Sequence, residues 1–177
     1  MGDSTEPGGD AFDALAALVS VAASDAAEPP SALRARLLAS RARPGRYGVF
    51  VDRLARLFDL PLPDVEALLT RIESEDAWAP FLVPGTSMIP VDAGPKRTGA
   101  IATLVRLQPG APFPEHTHRG VETMVVVDGG FVEPTTKVEV WRGEEITRND
   151  GTEHSIIGLP GVPCVAAVLI TGYADFK

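Results

Sequence analysis

The chain is short of the residues that build most metal and redox sites. It has one cysteine in 177 residues, Cys164. No disulfide can form within it, and no zinc site can rest mainly on thiolates. It has three histidines, and none stands before residue 116. No apolar run approaches the roughly 20 residues that cross a bilayer, which excludes a helical membrane protein. Positive charge is scarce, with 16 basic against 24 acidic residues and a net charge of −8. A whole-surface nucleic-acid binder is disfavoured, because counterion release needs clustered cations. The start is acidic and polar rather than basic and then apolar, so a cytoplasmic protein is expected. A phosphate loop with its lysine is also missing.

What is present falls into two parts. Residues 1–10 are rich in Gly, Pro and acid, the composition of a disordered tail. From Ala11 to Asp76 the apolar residues recur at helical spacing: Phe12, Leu15, Leu18 and Val19, then Leu33, Leu37 and Leu38, then Phe50, Leu54, Leu57 and Phe58, then Val65, Leu68, Leu69 and Ile72. Pro29-Pro30-Ser31, Pro44-Gly45 and Pro61 with Pro63 punctuate these runs. After Asp76 the helical period disappears. Short runs of β-type residues follow at Ala100–Leu107, Thr123–Val127, Lys137–Trp141 and Val165–Thr171, separated by turn residues. The expected organisation is a mainly β protein with some α: a helical segment over 11–76, then a β-barrel over 77–177.

All three histidines lie in the barrel part. His116 and His118 are two apart, so on a strand both imidazoles aim to one face. Glu122 follows at a further even step and shares that face if the strand continues. His154 comes just after a turn signal. Three imidazoles and a carboxylate make a borderline N/O set, suited to one first-row divalent transition metal such as zinc, iron, manganese, nickel or copper. Calcium and magnesium prefer all-oxygen shells.

Gly110, five residues, His116-x-His118, three residues, Glu122, six residues and Gly129 form the first cupin motif. Gly143, Gly151 and His154 match the second; Asn149 stands in place of its proline and Gly158 in place of its asparagine. The barrel therefore resembles a single cupin jelly roll. Within cupins, His116-Thr-His118-Arg-Gly120-Val-Glu122, Val127-Asp-Gly129-Gly-Phe131 and Pro163-Cys164, taken to open the last strand, resemble the ChrR-like subgroup. That resemblance implies a metal held by His116, His118, Glu122 and His154. The subgroup includes the sensory domains of anti-sigma factors and small dioxygenases. Residues 29–38 resemble a stretch of anti-sigma N-terminal halves, although no histidine or cysteine is available there for zinc. Three readings follow. One is a regulator whose cupin senses a small molecule or oxidant while residues 11–76 bind a partner such as a sigma factor. Another is a small non-haem metal-dependent dioxygenase, and the third a metal-stabilised binding module. A homodimer is expected in each, and neither nucleic acid nor membrane as partner.

Other residues carry weaker expectations. Seven arginines lie between Arg34 and Arg56, against one acid, Asp52, and read first as a solvated helix face. Arg106 and Arg119 could point into the barrel and grip a carboxylate. Glu115 should point away from the histidines. Trp78 and Trp141 read as core or edge packing, and Cys164 as a small buried hydrophobe.

Overall fold

A computed structural model describes residues 45–177. The chain divides into two units, Met1–Ala42 and Arg43–Lys177. The first, with the expected tail and first two helices, lies outside the described residues. In the second, a 3-10 turn leads into α1 (Val51–Phe58) and α2 (Leu62–Arg71). Helix α1 buries Val51, Leu54, Leu57 and Phe58, the three-to-four spacing of one apolar stripe. Asp59 ends it in the left-handed region. Pro63 sits in the first turn of α2, where its missing N–H costs nothing.

Eleven strands follow: β1 (Ala79–Pro80), β2 (Thr86–Pro90), β3 (Ile101–Leu107), β4 (Pro112–Arg119), β5 (Glu122–Asp128), β6 (Gly130–Val132), β7 (Glu139–Trp141), β8 (Glu145–Arg148), β9 (Glu153–Gly158), β10 (Cys164–Ile170) and β11 (Tyr173–Phe176). They form two antiparallel sheets, β1-β2-β3-β10-β5-β8 and β11-β4-β9-β6-β7. The four expected strands appear as β3, β5, β7 and β10. Cys164 opens β10 rather than the last strand, because β11 returns to pair with β4.

At its centre the larger sheet is buried on both faces, so β10 has no exposed residue and reads as an unbroken apolar run. Alternate residues divide between two cores. Leu104, Val125, Val127 and Ala167 pack under Leu54, Phe58 and Val65 of the helices. Val105, Met124, Val126 and Val168 face Phe113, Phe131 and Ile156 of the smaller sheet. The change of composition at residue 76 is thus a change from helix to strand, while packing places both sides of it in the unit Arg43–Lys177.

Two of the arginines expected on a solvated face are instead tied to the barrel. Arg46 meets Asp128 at 2.8 Å, and the Tyr47 hydroxyl donates to the same carboxylate at 3.1 Å. Arg53 donates to Glu145 at 2.9 Å. Arg34, Arg36, Arg41 and Arg43 lie outside the described residues. No helix of the described residues is long and apolar enough to cross a membrane.

Candidate metal centre

Strand β4 buries Phe113, His116 and His118. Phe113 and His116 are an odd step apart, and the strand reaches both by shifting register against β9 between them. Such a bulge re-aims side chains. His116 then pairs directly with His154 of β9. The rings of His116, His118 and His154 have centroids 4.6–5.0 Å apart, and one nitrogen of each lies within 4.8 Å of the others.

Glu122 reaches the same place from the opposite sheet. The strand carrying the histidines does not continue to Glu122, so the condition for a shared strand face is not met. It ends at Arg119, the chain turns at Gly120 (φ 129°), and Glu122 begins β5. Two residues before Met124, it faces the barrel interior. Its Oε2 lies 3.3 Å from His118 Nε2 and 3.9 Å from His154 Nε2.

The outward nitrogens fix the inward ones. His116 Nδ1 donates to the Pro114 carbonyl at 2.9 Å. His118 Nδ1 lies 2.9 Å from Thr152 Oγ1, whose single proton goes to the Asn149 carbonyl at 2.7 Å. His154 Nδ1 donates to Glu133 Oε1 at 3.1 Å. Glu133 is itself buried, paired with Arg148 and held by the Thr136 hydroxyl at 2.9 Å. Each Nδ1 is therefore the protonated nitrogen, and each Nε2 offers a lone pair. Burial holds His116 below the usual imidazole range and pushes His154 down to about 4, so both are neutral at pH 7.

Four potential metal-donor atoms thus converge, three imidazole Nε2 and one carboxylate oxygen. The Nε2 atoms of His116 and His118 are 3.1 Å apart. Buried Glu122 Oε2 and His154 Nε2 have no hydrogen-bond partner. Orphaned buried groups of this kind are costly. Ligands about 2.1 Å from one cation, at tetrahedral or octahedral angles, stand about 3.0–3.4 Å apart, so the shortest separations fit a metal ion. The buried histidine triad could hold one.

The other sequence candidates fall elsewhere. Arg106 has the parity of Leu104, faces the helices, grips Glu75 at 2.8 and 2.9 Å and lies over Trp78. Arg119 sits 3.5 Å from Asp175. Neither lines the barrel cavity, so the carboxylate grip expected of them is not there. Glu115 does point away, to Lys177. Trp78 is buried and Trp141 stands exposed on β7. Cys164 is buried, and desolvation raises its thiol to about 12. Sequence reasoning missed Glu133 and Thr152, which no motif spacing marks.

A two-sheet jelly roll with histidines from β4 and β9 and a carboxylate from β5 inside it is a cupin. Residues 68–160 match the ChrR cupin-like domain family, and the chain belongs to it. No curated protein matches the chain by sequence. Solved structures share the fold. The crystal structure of Rhodobacter sphaeroides SigE in complex with the anti-sigma ChrR matches at 21% identity and TM-score 0.54, over 90% of this chain and 76% of that one. An acetylacetone dioxygenase from Acinetobacter johnsonii matches at 15% and 0.50, over 58% and 73%. A cupin-like protein from Ralstonia eutropha JMP134 matches at 18% and 0.47, over 52% of this chain and 59% of its own length.

Proposed function

We propose that the chain is a ChrR-like, metal-binding regulator, in which the cupin senses a small molecule or oxidant and residues 11–76 bind a protein partner such as a sigma factor. The observation that carries the reading is the convergence of four lone-pair donors, two of them buried without a partner. His116, His118 and His154, through Nε2, and Glu122, through Oε2, would hold one divalent transition metal, zinc or iron foremost. Bound there, the cation supplies Lewis acidity and a coordination position for a ligand. The likeness to the SigE–ChrR complex over 90% of the chain supports the partner.

The chain's own residues suggest how the two ends communicate. Strand β5 carries Glu122 at its first position and Asp128 at its last. Asp128 clasps Arg46 and Tyr47, just ahead of the helices. A shift of Glu122 on ligand binding would travel along β5 to that clasp. The protein would act in the cytoplasm, as a homodimer. Co-purification of the tagged full chain from its own cells tests the reading: a sigma factor should be recovered, and its absence would overturn the regulatory assignment.

A second reading, a metal-dependent dioxygenase, is favoured by one observation. A cavity of about 280 Å3 opens onto His116, Glu122 and His154. The iron-loaded chain should then consume oxygen with acetylacetone, and no uptake would sink this alternative.

A further inference from the structure

The cavity beside the histidines has a one-sided chemistry. Its walls are Phe81, Met88, Val105, Phe113, Met124 and Phe176, with other aliphatic residues. Among the described residues that line it there is no lysine or arginine. Its polar groups are few and mostly committed. The Thr103 hydroxyl donates to a backbone carbonyl, with Ile89 O at 3.1 Å and Leu104 O at 3.0 Å. Tyr173 stands exposed at the rim with Ile101 and Phe176. That leaves His116, Glu122 and His154 at one end, where no N–H or O–H is offered inward.

An occupant with several hydroxyls would leave them unpaired against phenyl rings and thioethers, the most expensive way to bury them. A hydrocarbon body loses nothing there. Methionine and phenylalanine walls also adapt to irregular apolar shapes. The volume, about 280 Å3, lies at the small end of ligand pockets. We propose that this cavity takes a compact, largely hydrocarbon molecule with a single oxygen-bearing end directed at His116, Glu122 and His154, and that it rejects sugars and polyols. The orientation of the polar end rests on the metal reading above; the apolar selectivity does not.

Calorimetric titration of the full chain with toluene, acetophenone and D-glucose tests this, on chelator-stripped and zinc-loaded samples of measured zinc content. Toluene should bind both forms with affinities within about twofold, and glucose at least about tenfold more weakly. Zinc should tighten acetophenone alone. The methyl resonances of Met88 and Met124 should shift with toluene and stay still with glucose. Glucose binding as tightly as toluene, or no toluene binding to the folded chain, overturns the proposal. A chain that takes toluene but no zinc refutes the metal reading and leaves the apolar site standing. Ala174→Phe, which fills the cavity from β11, should abolish toluene binding at unchanged zinc stoichiometry; retained binding would contradict the site.

Discussion

His154 donates its Nδ1 proton to Glu133 across 3.1 Å, and this buried carboxylate sets which nitrogen of His154 faces the barrel. A metal-ligating histidine is oriented and made more basic by such a partner. Glu133→Gln keeps an acceptor but removes the charge and the Arg148 pair. Metal affinity should fall about 10–100-fold, measured by competition with a chelator. Unchanged affinity would remove Glu133 from the site.

Acid should weaken the metal-free fold in a defined window. His154 titrates near 4 in the folded chain against 6.5 ordinarily. Between these values the unfolded state holds more protons, so stability is full above pH 6.5 and declines as pH falls toward 4. The buried His116 acts with the same sign. Thermal midpoints of the stripped protein should drop steadily from pH 6.5 to 4, and a flat profile would contradict the neutral assignment.

Asp128 joins the residues just ahead of α1 to β5. Asp128→Ala strands the Tyr47 hydroxyl inside the fold and should cost about 1–3 kcal/mol, read from denaturant midpoints. Metal stoichiometry should stay at one per chain, because the clasp lies at the far end of β5 from Glu122, while metal affinity should shift through the coupling along β5. Unchanged affinity would show that β5 carries no coupling between the two ends.

Gly158 stands where the second cupin motif has asparagine, and the packing gives a reason for a small residue. A Cβ there would lie 2.5 Å from the Gln108 carbonyl oxygen. Gly158→Ala should destabilise by about 1–3 kcal/mol. A neutral result in thermal melts would show that β9 can move away from the turn at Gln108.

Cys164 should be inert. It is buried and its thiol is raised to about 12, so thiol reagents at pH 8 should modify the denatured chain and spare the folded one. Rapid labelling of the native protein would reopen a redox role.

Much of this was legible in the residues, for reasons that differ by element. Strand β10 announces itself because both of its faces are buried, whereas β6, β7 and β8 have only three or four residues each, and β7 and β8 are half-exposed. The histidines were placed by strand parity, and β4 obeys it. Glu122 arrives by another route: the even step from His118 is real, but a turn at Gly120 intervenes and the residue belongs to the facing sheet. Glu133 could not be found, because its role depends on where the end of the β6 region meets His154. Arg106 was ambiguous for the same reason, since only register tells which core a β3 residue faces.

Metal content measures the central claim most directly. Elemental analysis of the purified full chain, loaded with zinc or iron and then desalted, should give one equivalent per chain for the natural sequence and near none for His118→Ala. A full equivalent in that variant, or none in the natural chain, would contradict a cation held by His116, His118, Glu122 and His154.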